Sequence, residues 1–155
     1  MTGTAQEELK QTRPFASLAQ EAYVNVRRTA DALLRSTEDV LKRAELSSTQ
    51  YNVLRILRGA RPAGLACSEI GERMIARDPD ITRLLDRLEN RRLVTRQRQK
   101  KDRRVVTTRI TAAGLRLLKG LDRPVLEAHE RQLGHLGRKR LQALIRLLEA
   151  ARSAA

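Results

Sequence analysis

One segment of the sequence changes its hydrophobic period from that of a helix to that of strands within a few residues. Asp78 and Pro79 are typical of a helix start, because Asp accepts a bond from a free amide and Pro fits the first turn. A helix is predicted from about Pro79 to Arg91, with an apolar stripe at helical spacing formed by Ile81, Leu84, Leu85 and Leu88. The period then becomes two in Leu93–Arg98 and Arg104–Ile110, which predicts a β-hairpin.

The face of this helix opposite the stripe is polar and partly cationic. Arg83 and Arg87 lie one turn apart, where they can reach guanine edges or phosphates if the helix enters a DNA major groove. The candidate DNA-reading residues are Asp80, Thr82, Arg83, Arg87 and Asn90. An alternative remains open for the helix alone: a solvated surface helix, in which the arginines pair with Asp80 and Asp86 at i, i+3 spacing.

The link between the two predicted strands is strongly cationic. Five of the seven residues from 98 to 104 are Lys or Arg, a density that is costly unless a counter-charge arrives. A narrow minor groove concentrates negative potential and accepts inserted arginines, whereas the alternative is a merely solvated loop. The candidate wing residues are Arg98, Lys100, Lys101, Asp102, Arg103 and Arg104.

Two shorter helices are predicted before this segment. The first spans Gln50–Leu57, with N-cap candidates at positions 47–49. The second spans Ser68–Ile75, with Ile70, Met74 and Ile75 on its inner face. Two short helices, a helix with a cationic face and a hairpin make a winged helix-turn-helix, predicted here over residues 47–111.

Further helices are predicted on both sides of the winged segment, in residues 14–46 and 112–155. The first runs from Phe15 to near Glu45, after a flexible N-terminus at residues 1–13. In the second region, Thr111 caps a helix to about Leu121, Pro124 interrupts it, and the pattern resumes through Leu133. A last helix is predicted over 138–152.

The apolar faces of these outer helices exceed what a winged domain of roughly 60 residues can cover. They therefore predict dimerisation, with packing inside one chain as the alternative. The candidate interface residues are Phe15, Leu18, Ala22, Leu141, Leu144, Ile145 and Leu148.

Charge and composition narrow the class of partner. The 155 residues carry a net charge of +14, and half of it lies between Arg73 and Arg104, where 12 Arg or Lys face five Asp or Glu. Such a field indicates a polyanionic partner. Aromatic residues make up 2% of the chain, which disfavours stacking on single-stranded bases. No transmembrane or signal segment is expected, and the single cysteine, Cys67, favours a reducing cytoplasm.

Other chemistry receives little support from the sequence. His129 and His135 lie six apart, outside metal-ligand spacing, so neither a metal nor another cofactor is expected. Cys67 at a predicted helix start is a weak candidate for a redox sensor, because no second cysteine can resolve it. We find no phosphate-binding glycine loop and no Ser-His-Asp set, and therefore expect no enzyme.

Six short motifs occur in the order and spacing of one family. They are SSTQYNVLRIL (47–57), SEIGERM (68–74), ITRLLDRLE (81–89), LVTR (93–96), DRRVV (102–106) and ITAAG (110–114). The sequence thereby resembles the MarR family of bacterial transcription regulators. The resemblance implies a homodimer with packed terminal helices, one recognition helix in each major groove and one wing in each minor groove. Asp102 and Arg104 match the family's Asp-x-Arg wing motif.

The sequence departs from the family pattern at two places. Pro79 and Asp80 stand where small hydroxyl residues are common, so base specificity cannot be transferred. Arg92 stands where glycine is common, which implies either a strained backbone or a different turn. Many relatives bind small aromatic or apolar acids, and by analogy an effector would lie near Tyr23, Arg27 and Tyr51, although a regulator without a ligand fits equally.

The expected function is therefore a DNA-binding transcription regulator, a repressor, that binds a pseudo-palindromic duplex site as a homodimer. One alternative is a basic protein that coats DNA or binds RNA without sequence preference. Another is an interaction module that uses its basic face on an acidic protein.

Overall fold

The computed structural model describes residues 4–99 and 104–153. The chain divides into two compact units, residues 1–36 and 37–155, and helix α2 begins in the first and ends in the second. The fold is mainly helical with one small antiparallel sheet, as predicted. No helix of the described residues is long and apolar enough to cross a membrane. The elements are α1 (Ala5–Glu8), α2 (Leu18–Lys42), α3 (Ser48–Gly59), β1 (Leu65–Ala66), α4 (Cys67–Arg73), α5 (Ile81–Asn90), β2 (Val94–Arg98), β3 (Val106–Ile110), α6 (Ala112–Leu133), a 3-10 turn (Gly134–Leu136) and α7 (Gly137–Ser153).

The first unit holds one short helix and most of α2. Within the stretch expected to be flexible, Ala5–Glu8 form a helical turn capped by Thr4, whose hydroxyl accepts the amide of Glu7. Helix α2 begins three residues after the predicted Phe15, because the Ser17 hydroxyl accepts the amide of Gln20 and fixes the start there. Several large apolar side chains of this unit are exposed, namely Leu18, Tyr23, Val26 and Leu34.

The second unit is built around a leucine-rich core to which α3 contributes most. Ser47 and Gln50 form a reciprocal capping box at the start of α3, which orients its apolar face inward. The stripe predicted for α5 joins this core, since Leu84, Leu85 and Leu88 are all buried. The core side chains are Leu41, Leu46, Tyr51, Val53, Leu54, Leu57, Leu65, Ile70, Leu84, Leu85, Leu88, Leu93, Val94, Leu118, Leu121 and Val125.

The predicted hairpin gains a third strand in the structure. The strand order is β1-β3-β2, with Arg96 opposite Thr108 in the hairpin and Leu65 opposite Thr108 on the other side. Strand β1 is two residues long, too short for a period-two pattern, so the sequence does not predict it. It lies directly before α4 and ties that helix to the sheet.

Two predicted boundaries around the helix-turn-helix are wrong. Helix α4 ends at Arg73 and Met74 is extended, so Ile75 leaves the helical phase and is 91% exposed instead of facing inward. Helix α5 begins at Ile81, two residues after the predicted Pro79. The reason is that the Asp80 carboxylate accepts the amide of Arg83 at 3.1 Å, so Asp80 is the N-cap and not a residue of the first turn.

The prediction that Pro124 interrupts a helix is also wrong, because α6 continues through it. Proline removes the bond to the carbonyl four residues earlier, here that of Gly120. Gly120 is exposed, so water can take the place of the missing donor. Helix α7 follows the 3-10 turn and, among its described residues, contains no buried side chain.

Candidate nucleic-acid interface

The exposed face of α5 carries three of the predicted DNA-reading residues. Arg83, Arg87 and Asn90 are exposed, and the three buried leucines anchor the opposite side of the same helix. Within residues 4–99 and 104–153, the side chains of Arg83 and Arg87 form no ion pair or hydrogen bond. The i, i+3 pairs of the alternative interpretation are therefore not formed, because Asp80 caps the helix and Asp86 pairs elsewhere.

The partner of Asp86 is Arg96 on strand β2, which also binds Glu89. The Arg96 guanidinium donates to Glu89 from Nε at 2.8 Å and from Nη2 at 2.6 Å, and to Asp86 from Nη2 at 2.5 Å. The backbone N–H of Arg96 donates to the second oxygen of Glu89 at 3.1 Å. These three residues are called the Arg96 clamp below. The hydrogen bonds to Glu89, followed by those to Asp86, raise the pKa of Arg96 above its ordinary value.

Sequence reasoning missed Arg96 as a site residue. A signal exists in principle, since Asp86 and Glu89 lie at i, i+3 on one flank of α5 and can share a single cation. However, choosing among the neighbouring arginines requires the geometry of the turn between α5 and β2.

Thr82 is exposed on the flank of α5 that faces the wing. It lines a cavity of about 330 Å³ together with residues of α4, β2 and the start of β3. Cys67, which is half-buried, and Thr108 line the same cavity. Thr108 is 1% exposed, and its hydroxyl has no hydrogen-bond partner among the described residues.

The root of the wing is well ordered by hydrogen bonds, whereas its tip lies outside the described residues. Gln99 pairs with Val105 through its backbone N–H at 2.9 Å and with the Thr107 hydroxyl through its side-chain amide at 2.9 Å. Arg98 and Arg104 are exposed on either side of the tip. The remaining predicted wing residues, Lys100, Lys101, Asp102 and Arg103, fall in the segment that the structure does not describe.

Two arginines form the turn that joins α5 to β2. The Arg91 guanidinium donates to the backbone carbonyls of Glu45 at 2.6 Å and Ala44 at 3.1 Å, in the turn that follows α2. Arg92 has a φ of +57°, the left-handed conformation that glycine adopts without strain. The missing glycine implied either a strained backbone or a different turn, and this positive φ shows that the backbone is strained. This turn and the Arg96 clamp fix α5 relative to the rest of its unit.

The other predicted residues lie in different surroundings. Tyr51 is buried in the core, with the Arg55 guanidinium 5.9 Å from its ring centre, whereas Tyr23 and Arg27 are exposed. Among the interface candidates, Leu18 is 85% and Ile145 is 54% exposed, and Ala22 is exposed. The half-buried candidates are Phe15, Leu141, Leu144 and Leu148.

A helical pair whose second helix presents a cationic face beside a hairpin defines the winged helix-turn-helix class. The sequence model of the MarR family matches residues 46–106. The chain is 50% identical to a MarR transcription factor from Planctomyces limnophilus, over 88% of this chain and 99% of that one, with a TM-score of 0.69. The chain therefore belongs to the MarR family of transcription regulators.

Two further proteins are similar over most of their length. The HTH-type transcriptional regulator FarR of Neisseria gonorrhoeae is 27% identical over 118 residues, which are 76% of this chain and 80% of FarR. The PcaV transcriptional regulator of Streptomyces coelicolor, in complex with its natural ligand, is 26% identical with a TM-score of 0.75. That match covers 92% of this chain and 99% of PcaV.

Proposed function

We propose that this regulator is a cytoplasmic repressor that binds a pseudo-palindromic duplex site as a homodimer and has no enzymatic activity. One observation carries the proposal: Arg83 and Arg87 stand exposed, without a partner among the described residues, on a helix whose other face is buried. Two arginines one turn apart, on a helix anchored by buried leucines, can reach base edges and phosphates in a major groove. Nonspecific coating of DNA needs no such rigid placement.

The wing supplies the second contact of the proposed complex. Arg98 and Arg104 flank the tip, and four of the five residues from 100 to 104 are cationic. Phosphate contacts from this region should dominate the affinity and make it steeply dependent on salt. Arg104, which matches the arginine of the family's wing motif, is the residue that we place in the minor groove.

Helix α7 supports the dimer. Its stripe of Leu141, Leu144, Ile145 and Leu148 is exposed or half-exposed, and none of its described side chains is buried. A leucine-rich face of this kind gains stability when a second copy removes it from water. Two recognition helices related by a dimer axis would then read half-sites about one helical turn, roughly 10 bp, apart.

We further propose that a small aromatic or apolar acid relieves repression. The observation that favours a ligand is the similarity to PcaV, which has been solved with its natural ligand. Tyr23 and Arg27 are exposed candidate contacts for the effector in the first unit, whereas the third candidate, Tyr51, is buried in the core of the second unit. Thermal unfolding with a panel of such acids tests this part, since a ligand that binds the folded state raises Tm.

Selection of binding sites from random duplex DNA, at about 0.15 M salt, tests the main proposal. A symmetric motif is the result expected for a dimeric repressor. Retained binding without any enriched motif would instead support the nonspecific coating protein. A complete lack of binding would support an interaction module that uses the basic face on an acidic partner.

Point variants then test the assigned contacts on the selected site and on a scrambled duplex. Arg104→Ala should weaken binding to both duplexes, whereas Arg83→Ala should also relax the preference at particular bases, by about 1–3 kcal/mol. Arg131→Ala removes the same charge from an exposed position of α6 and serves as the control. Equal losses on both duplexes for Arg83→Ala would contradict its role in reading bases.

A further inference from the structure

We infer that Arg96 is a positioning residue for DNA binding, which sets the angle of α5 against the wing and neutralises two carboxylates beside the reading face. The inference deepens the proposed function and rests on it, because it presumes that α5 enters DNA. Arg96 itself is not assigned a DNA contact. It acts through Asp86 and Glu89, the two other members of the Arg96 clamp.

The Arg96 clamp fixes the geometry of α5 against β2. The guanidinium holds Glu89 through two nitrogens and Asp86 through one of them, so it bridges a full turn of α5. The backbone N–H of Arg96 adds a further bond to Glu89, which also fastens the strand itself to the helix. Four donor–acceptor pairs within 3.1 Å leave little freedom for α5 to roll about its axis relative to β2. A lysine, with one compact ammonium, cannot reproduce this forked arrangement.

The Arg96 clamp also changes the charge that α5 presents to DNA. Helix α5 contains two arginines and two acids, so the helix alone brings no net charge to a polyanion. Asp86 immediately precedes Arg87, and the Asp86 and Glu89 side chains are 50% and 37% exposed. Without a counter-charge, both carboxylates would repel the nearby phosphates. Arg96 supplies that counter-charge from a side chain that is 23% exposed, and it thereby leaves the face with Arg83 and Arg87 positive.

The geometric and electrostatic roles of Arg96 are expected to be lost separately in separate variants. Arg96→Met removes both the geometry and the counter-charge, so it should weaken binding to the selected site about tenfold and to scrambled DNA by less. Arg96→Lys keeps the charge, so it should restore binding to scrambled DNA while preference for the selected site stays reduced. The triple variant Arg96→Met, Asp86→Asn, Glu89→Gln removes the repulsion and should recover scrambled-DNA binding in the same way.

The salt dependence of binding distinguishes a direct DNA contact from a positioning role. A lost phosphate contact reduces the slope of log K against log salt by about one. In the triple variant, which also lacks the two carboxylate charges, loss of a positioning residue lowers the affinity for the selected site while the slope stays at its wild-type value. Arg131→Met, an equal loss of charge on α6, is the matched control and should change neither the preference nor the slope.

The measurement is the Kd on both duplexes from 0.05 to 0.3 M salt, with urea unfolding of each variant alongside, taking about 0.15 M as the reference condition. If Arg96→Met does not fold, the same measurements are made on Arg96→Lys and Glu89→Gln. Both substitutions preserve packing, and Arg96→Lys also preserves the positive charge. An unchanged ratio between the two duplexes for Arg96→Met overturns the positioning role, and a slope reduced by about one in the triple variant reassigns Arg96 to direct contact. Failure of the wild type to prefer any duplex would instead reject the proposed function.

Discussion

Two glycines of α6 differ sharply in what surrounds them. A Cβ on Gly114 would lie 2.5 Å from the Leu93 carbonyl oxygen and 2.7 Å from a carbon of Ile110, whereas a Cβ on Gly120 would meet nothing within 4 Å. Gly114→Ala should therefore destabilise the fold by about 1–3 kcal/mol, since a backbone carbonyl cannot give way as a side chain can. Gly120→Ala is the control, and it should stabilise the exposed helix by up to about 1 kcal/mol. Urea unfolding of both variants measures the difference.

Arg92 carries a conformational cost that glycine would not. With φ at +57°, its backbone is in the left-handed region, where side chains other than glycine cost about 1–2 kcal/mol. Arg92→Gly should raise the free energy of unfolding by roughly 0.5–1 kcal/mol after the entropy cost of glycine is subtracted. Arg92→Ala removes the same charge but keeps the strain, so it should show no such gain. Equal stability of the two variants would mean that the turn is not strained.

At the level of single residues, the sequence predicted what is exposed better than what is paired. The opposed stripes of α5 identified Arg83 and Arg87 as exposed, because helical periodicity alone assigns faces. The role of Arg96 depends on a contact between a helix and a strand, and the nearest arginines in sequence look equivalent to it. The sequence likewise leaves undecided whether Arg83 and Arg87 pair with neighbouring acids. The structure answers this, because Asp86 pairs with Arg96 instead.

The Arg91 side chain joins the end of α5 to the turn that follows α2. The Arg91 guanidinium binds the carbonyls of Ala44 and Glu45, which accept no other hydrogen bond within residues 4–99 and 104–153, in a turn where Glu45 has a φ of +52°. Arg91→Met should destabilise the fold by about 1 kcal/mol and speed amide exchange in the last turn of α5. Arg43→Met, an exposed residue of the same turn, is the control for lost charge. Equal exchange rates in the two variants would contradict this role.

Helices α3 and α6 are joined by an ion pair whose strength depends on pH. Arg58 donates to Asp122 at 2.9 Å, and this bond lowers the pKa of Asp122. A carboxyl whose pKa falls on folding adds stability above its unfolded value, near 3.9, and loses it as the pH drops through the folded value. Both side chains are partly exposed, so the gain at pH 7 is about 1 kcal/mol or less.

The test compares the wild type with Asp122→Asn by urea unfolding at pH 7, 5 and 3. The wild type should be more stable at pH 7 and 5, and the difference should shrink as the pH falls below about 4. A difference that grows toward acid would have the wrong sign for a lowered pKa. Arg123→Gln is a useful comparison, because the Arg123–Glu127 pair lies within α6 and joins no second element.

At the level of elements, the sequence predicted which helices and strands exist better than it predicted where they begin and end. Capping chemistry explains most of the shifts. Ser17 sets a start that the apolar pattern places three residues earlier at Phe15, and Asp80 sets one that the Asp78-Pro79 signal places two residues earlier. Pro124 does not break α6, because the helix of 22 residues loses only one backbone hydrogen bond there and the freed carbonyl is exposed. Strand β1 exists through its pairing with β3, and two residues cannot show a period.

For the whole molecule, the unpaired apolar stripe of α7 is the feature with the largest consequence. Ile145→Glu places a charge on that stripe and should shift the protein from dimer to monomer in sedimentation equilibrium at micromolar concentration. Leu147→Glu makes the same change at a side chain that is 70% exposed and lies off the stripe, so it should leave the dimer intact. Dissociation by both variants, or by neither, would contradict an interface centred on the stripe.

The Glu89 carboxylate also lies at the open edge of the sheet, where another copy of the protein could pair at high concentration. Strand β2 is an outer strand of the sheet, and such strands expose N–H groups on which another chain can extend the sheet. Glu89 occupies the N–H of Arg96 in the middle of β2, and its charge stands beside that edge. The clamp that aligns α5 thereby also occupies an N–H group on the open edge of the sheet, where the strand of another chain would otherwise pair.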